Sequence, residues 1–443
     1  MKRLSLILLG VAGFATVTLA QDETFISKLQ PEIQYTRPGD KTGLNVFETS
    51  KDNKIPYEGL KVKFGAGFTQ QFQTLSHTNS GAVALYPRLA PGFGVAQANL
   101  MTDVQLADGI KLNLETYLSA KHHNESWVKG GYIQFDKLPF KGQFWDDLMK
   151  FTTIKVGHME INYGDQHFRR SDGGNTIHNP FAENYIMDEF ATEVGGEVYL
   201  QHNGFLGMVG VSNGLINGGY QSPIFYDSTA KSTKGTYRNP SVYLKGAIDK
   251  EIGEVRLRGS ASLYYNNNDG RSTLFGGDRT GSNYFYVMEP ANATYTGNAF
   301  SGRFNPGLSN QIRAVMLNGF MKAYGFELFG TYENAKGRDN AERFNGYPER
   351  SVNQFAIDAI YRFGAKEKVF AGVRYNTRNG ELLRINPNDQ QINRVAFGGG
   401  WFLTNNILLK AEYVNQQYKD FPSNSIYSDG KFKGAVIEAV VGF

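Results

Sequence analysis

A two-residue rhythm of apolar side chains constrains this chain more than any other feature. From Val62 the even positions read Val62, Phe64, Ala66, Phe68 and Phe72, broken only by Gln70, while the odd ones read Lys61, Lys63, Gly65, Gly67, Thr69, Gln71 and Gln73. Successive side chains of an extended strand point to opposite faces, so this segment has one apolar side and one wet side. Ala96, Ala98, Leu100, Val104 and Leu106 repeat the pattern. An Asp108-Gly109 turn follows, then Ile110, Leu112, Leu114, Leu118 and Ala120, which together spell a tight hairpin. The last segment puts Ala435, Ile437, Ala439, Val441 and Phe443 on one face, with Gly434, Val436, Glu438, Val440 and Gly442 on the other.

The same grammar recurs between two kinds of connection. Short turns fall at Asn203-Gly204, around Lys250 to Gly253, at Tyr324-Gly325, around Gly364 to Lys368 and at Thr404 to Asn406. Long polar connections cover residues 76–92, 163–192, 214–239, 266–310, 334–352, 377–390 and 419–431. Short turns at one end and long loops at the other are the asymmetry of an outer-membrane barrel, and the runs predict an all-β transmembrane antiparallel up-and-down barrel of about 16 strands. Two connections depart from it: the outward loop at His122 to Glu125 is short, and the link from Lys137 to Lys150 is long, with a short helix expected at Phe144 to Met149. The segment from Asn310 to Met321 is the weakest strand signal.

Lys2 and Arg3, the apolar run Leu4 to Val17 and Thr18-Leu19-Ala20 read as a signal peptide spanning 1–20. Beyond Val17 no apolar run approaches the ~18 residues of a spanning helix. Residues 21–59 do not alternate and contain Pro31, Pro38 and Pro56; they form a periplasmic or lumenal segment, read here as a partly ordered tail, ahead of a barrel covering 60–443. The chain has no Cys, which excludes lipid attachment through Cys, disulfides and thiolate chemistry. Without Lys2 and Arg3 the 46 basic residues become 44 against 42 acidic ones, so no nucleic-acid partner is expected.

Strand phase assigns the lumen-facing charges: Lys61, Lys63, Lys111, Lys121, Arg256, Arg258, Arg374 and Lys410, with Asp103, Glu115, Glu254, Asp358 and Glu412. The third outward loop carries Asp165, Arg169, Arg170, Asp172, Asp188 and Glu189. Folded back into the barrel, Arg169 and Arg170 would form a cationic constriction with the acids as counter-charges; paired with one another, the same residues would fix the loop to the wall. No G-x-S-x-G elbow frames a nucleophile, His122-His123 point to opposite faces, and neither Gly92-Phe93-Gly94 nor Gly398-Gly399-Gly400 sits between strand and helix. No enzyme activity, metal or cofactor is therefore expected.

Gly131-Tyr132-Ile133-Gln134-Phe135-Asp136, Val156-Gly157-His158-Met159-Glu160, Tyr163-Gly164-Asp165, Arg169-Arg170-Ser171-Asp172, Tyr361-Arg362-Phe363, Arg374-Tyr375-Asn376 and Lys410-Ala411-Glu412-Tyr413 resemble the porin family named after the phosphate-selective porins O and P. The similarity spans most of the exported chain. It implies a 16-stranded homotrimer with an inward-folded third loop and diffusion of small anions such as phosphate. The family's basic ladder has no residue-by-residue counterpart here. The expected protein is an outer-membrane porin in contact with lipid, passing small hydrophilic solutes, and handed to the outer-membrane assembly machinery through the final strand ending in Phe443. The alternatives are a barrel transporter for hydrophobic or bulky ligands with an N-terminal plug, and a structural or adhesive surface barrel.

Overall fold

In the computed structural model the alternating runs become sixteen long strands. They are β1 (Lys61–Thr78), β2 (Gln97–Ala107), β3 (Ile110–Ser119), β4 (Trp127–Phe135), β5 (Thr152–Glu160), β6 (Thr192–His202), β7 (Phe205–Ser212), β8 (Ser241–Ile252), β9 (Val255–Asn266), β10 (Gln311–Ala323), β11 (Phe326–Arg338), β12 (Arg350–Phe363), β13 (Val369–Gly380), β14 (Gln390–Phe402), β15 (Ile407–Lys419) and β16 (Lys431–Gly442). The structure describes residues 30–443 except 53, 120–125, 172–174, 215–223, 228–231, 236, 270, 278–279, 295–296, 299, 301 and 383–388. The expected signal peptide, the short loop at His122 to Glu125, Lys121 and Asp172 thus lie outside the described residues.

Every strand pairs antiparallel with its neighbours in sequence, and β1 closes the sheet by pairing with β16 from Gly67 opposite Gly442 to Thr78 opposite Lys431. Closure removes the free edges, so wall N–H and C=O groups are satisfied within the sheet, as a hydrocarbon surround demands. Residues alternate accordingly. On β8, Val242, Leu244 and Ile248 are exposed while Tyr243, Lys245 and Ala247 are buried; β9, β10 and β15 repeat the pattern. An apolar band around a closed barrel with a polar interior is a lipid-facing surface.

Two hairpins show why the short turns sit where they do. Asn203 and Gly204 (φ 48° and 76°), and Tyr324 and Gly325 (φ 48° and 82°), adopt paired left-handed conformations, the twist-compatible two-residue turn. A side chain on Gly204 would meet the Asp249 carbonyl at 2.2 Å.

The weak segment forms a full strand, β10, and the long link carries helix α1 (Gln143–Met149). Several strands outrun the apolar alternation: β11 continues to Arg338 and β13 to Gly380, past the predicted loop starts at Asn334 and Thr377. Beyond the membrane the outer face no longer needs apolar residues, while the backbone ladder needs none on either face. The loop after β11 holds a short helix α2 (Asn340–Phe344), capped reciprocally by Asp339 and Glu342, and the loop after β7 contains a small hairpin, Ile224–Asp227 with Ser232–Gly235.

The lumen is heavily occupied. The third loop, residues 161–191, folds inward and is almost entirely buried among its described residues. Its Tyr163, Ile186 and Met187 pack with Leu274, Tyr284 and Phe304 of the fifth loop (267–310) and with Tyr264, Ile312 and Ile392 of the wall. The fifth loop therefore also descends into the barrel.

Candidate functional site

The third loop is fastened to the β8–β16 half of the wall. At its start Asp165 accepts from Arg258 through Nε and Nη2, both at 2.9 Å, from Ser260 Oγ at 2.7 Å, and pairs with Lys245 at 2.7 Å. Lys245 and Arg258 also reach Glu48 of the N-terminal segment, at 2.9 and 2.8 Å. Burial opposes ionisation of both acids, yet Lys245 and Arg258 outweigh it: Glu48 is held down to about 2 and Asp165 lower still. Further along, wall side chains grip the loop's backbone. Lys410 donates to the carbonyls of Thr176, Asn179 and Phe181 at 3.3, 3.1 and 2.9 Å while pairing with Glu438 at 2.8 Å. Arg374, bidentate on Asp358 at 2.7 and 2.8 Å, donates to the Glu183 carbonyl at 2.6 Å. Arg394 donates to the carbonyls of Asn184, at 2.6 Å, and Gly302. Gln354 brackets Met187, accepting from its N–H at 2.7 Å and donating to its carbonyl at 2.8 Å.

The two loop arginines are engaged as well. Arg169 pairs with Glu327 at 2.6 Å and donates to the Asn45 side chain, and Arg362 shares Glu327 at 3.0 Å. Arg170 pairs with Asp188 at 2.8 Å, which also receives Arg303 of the fifth loop at 3.1 Å. Glu189 accepts from Gln166 and Gln354 at 2.7 and 3.0 Å. Burial, with Asp188 nearby, outweighs these donors and raises its carboxyl above the ordinary value. Between these groups only a water-sized void of about 10 Å³ remains.

The open part of the lumen lies on the other side, against β2–β6. A cavity of about 260 Å³ is lined there by Lys111, Glu115, Lys129, Tyr132, Lys155 and Tyr199, facing Glu160, His167 and Phe168 of the third loop. Tyr35, Glu48 and Gln201 also wall a larger vestibule of about 1470 Å³ at the short-turn end. The N-terminal segment separates the two. Lys111 donates to the Tyr35 carbonyl at 2.6 Å, Gln34 accepts from Gly109 N–H at 2.8 Å, Arg256 donates to the Asn45 carbonyl at 3.0 Å, and Lys51 holds Asp136 at 3.0 Å. It is a strap across the lumen.

Of the remaining residues singled out from sequence, Lys61 pairs with Glu58 at 2.8 Å, Lys63 is half-buried, Arg256 pairs with Asp249 at 2.7 Å, and Glu115 pairs with Lys129 at 2.7 Å. Sequence reasoning passed over Lys129, Lys155, Lys245, Arg362 and Arg394. The phase rule was the available signal for Lys155, flanked by Ile154 and the exposed Val156, and for Lys245, flanked by the exposed Leu244.

A closed sixteen-stranded barrel with a lipid-facing band, short turns at one end and an inward third loop defines a bacterial outer-membrane protein of porin architecture. No protein-family model matches the chain, and no curated protein matches it. Solved structures do. An anion-selective porin from Comamonas acidovorans superposes with a TM-score of 0.51 at 10% identity, covering 87% of this chain and 100% of that one. The OmpF of Salmonella typhi, solved in complex with daunomycin, gives 0.49 at 11% identity over 88% and 99%, and the outer membrane channel DcaP of Acinetobacter baumannii gives 0.48 at 10% over the same shares. At these identities the likeness is one of fold.

Proposed function

We propose that this protein is a passive channel for small hydrophilic solutes, with the route running between the third loop and the β2–β6 wall. The observation that carries this reading is the cavity of about 260 Å³ left open there, lined by charges of both signs, beside a vestibule of about 1470 Å³ with which it shares Tyr35, Glu48 and Gln201. A mixed-sign lining suits hydrated solutes of either charge rather than apolar ligands. In this reading Arg169 and Arg170 act as fasteners of the loop. Each already holds a carboxylate, so neither offers a free positive charge, and the modest anion preference assigned to them passes to other cations. Phosphate as the solute, a homotrimer and delivery by the assembly machinery belong to the same proposal, supported by the family resemblance and by the alternating last strand β16. Planar-bilayer recording of the purified protein tests it. Discrete conductance steps in KCl are expected, and a protein that inserts as a folded barrel yet passes no current overturns the reading.

The occupied lumen favours a restricted version of this function. The fifth loop reaches across to Glu183, whose carboxylate accepts from Ser282 at 2.7 Å and from Asn283 N–H at 2.5 Å, and its Tyr284 donates to Glu412 at 2.5 Å. A passage so furnished conducts less than a bare barrel of sixteen strands.

A further inference from the structure

We propose that the lumen holds a subsite for small organic carboxylates, centred on Lys111 and Lys155; this rests on the channel reading above. Most inward cations are committed. Lys129, Lys245, Arg258, Arg374 and Lys410 each pair with a carboxylate. Lys155 is different: among the described residues its ammonium makes no hydrogen bond or ion pair and lies over the rings of Tyr132 and Tyr199, 5.4 and 5.0 Å from their centroids. Lys111 donates to the Tyr35 carbonyl and to Thr36 Oγ1 at 3.1 Å, but no carboxylate lies within pairing distance of it among the described residues.

Strand register brings the two together. Lys111 stands opposite Gln134 on β4, and Gln134 stands opposite Lys155 on β5, so the two cations occupy one transverse row on three adjacent strands. Both line the open cavity. The acids around them are mostly spent: Glu115 is taken by Lys129, and Glu48 by Lys245 and Arg258. Asp103, which accepts from the Asn113 amide at 2.9 Å, is the counter-charge facing Lys111 and keeps the site from being strongly cationic. Glu197, opposite Lys155 on β6, accepts from the Asn162 N–H and the Tyr199 hydroxyl and lies beyond pairing distance of Lys155 among the described residues, so the Lys155 ammonium keeps its donors for an arriving carboxylate.

The rest of the lining selects the kind of anion. Met101, Met159 and Phe168 share the cavity with the two tyrosines. Inorganic phosphate, strongly hydrated, gains nothing from thioethers and rings; a carboxylate carried on a short hydrocarbon or aromatic body gains from both parts.

Benzoate and inorganic phosphate are the probes, added in planar bilayers to wild type, Lys155→Gln, Lys111→Gln and Lys155→Arg channels in KCl. Lys155 makes no hydrogen bond or ion pair among the described residues, so its replacement by Gln breaks no polar contact of the wall, and the strand ladder on both sides of it remains. Benzoate is expected to reduce the wild-type current, with the half-blocking concentration rising about tenfold in each Gln variant and returning towards the wild-type value in Lys155→Arg. Phosphate is expected to be the poorer blocker. An unchanged half-blocking concentration in Lys155→Gln, or phosphate blocking as well as benzoate, overturns the subsite while the KCl steps keep the channel reading standing. A wild-type protein without steps overturns the channel reading, and this one with it.

Discussion

Replacing Asp165 by Asn isolates the fastening of the third loop. The carboxylate receives both Arg258 donors, Ser260 and Lys245, all within 2.9 Å, and the side chains of Lys245 and Arg258 are 0% and 4% exposed. Deleting one member of a buried ion cluster costs ~3–5 kcal/mol, because the other charges stay buried without compensation. The lower end applies, since Glu48 still contacts both cations. A loss of about 3 kcal/mol multiplies the population with the loop start detached roughly a hundredfold. Two readouts follow: a lower unfolding midpoint in detergent, and open-channel noise or substates in single-channel records absent from wild type. Asp147→Asn is the control, because its pair with Lys150 is more than half exposed at both partners, far from the loop, and contributes little to stability. Records for Asp165→Asn as quiet as wild type, with a midpoint shift no larger than that of the control, would refute the fastening.

Deleting residues 32–59 removes the strap between cavity and vestibule, and single-channel conductance should rise at least about twofold as the narrowest section widens; equal conductance places the narrow section elsewhere. Asp269, at the base of the fifth loop, is pushed up to about 8 by burial and by Glu193, with Arg238 opposing. A raised folded pKa means its contribution is fully present below the ordinary 3.8 and is lost progressively as pH rises to about 8, so protease cleavage in the fifth loop should accelerate between about pH 5 and pH 8 and level off above, and Asp269→Asn should abolish that dependence. Leu317, exposed at the middle of β10, should cost ~2–4 kcal/mol in folding stability as Leu317→Arg, measured by denaturant titration in lipid vesicles; a negligible cost would argue against a lipid-facing position.

The wall was legible because its signal is local. Val62 to Phe72 and Ala435 to Phe443 declare their faces within a dozen residues, and the pairing of neighbours follows from short turns. What fills the barrel was not legible, because its partners are remote: Asp165 finds Arg258 across 93 residues and Arg169 finds Glu327 across 158. The pairing of Arg169 and Arg170 with wall or loop acids depends on where the loop comes to rest, and no periodicity encodes that. The fifth loop reads as polar and glycine-rich, yet Leu274, Phe275, Tyr284, Val287, Phe304 and Leu308 are all buried. Their spacing follows neither period two nor 3.6, as expected for irregular backbone packed on several surfaces at once. The Asp339-to-Glu342 cap of α2 was, by contrast, a readable signature of a helix start.

Lys410, Arg374, Arg394 and Gln354 hold the third loop by main-chain oxygens, which every amino acid supplies, and an N–H, which all but proline supply. At these points the seat is indifferent to the side chains it carries, unlike the charged fastenings at Asp165, Arg169 and Arg170. Substitutions at His167 or Phe168, which face the open cavity, can change what a solute meets while these main-chain grips keep the loop's path across the barrel, so a scaffold of this kind can be retuned for a different solute without rebuilding the wall.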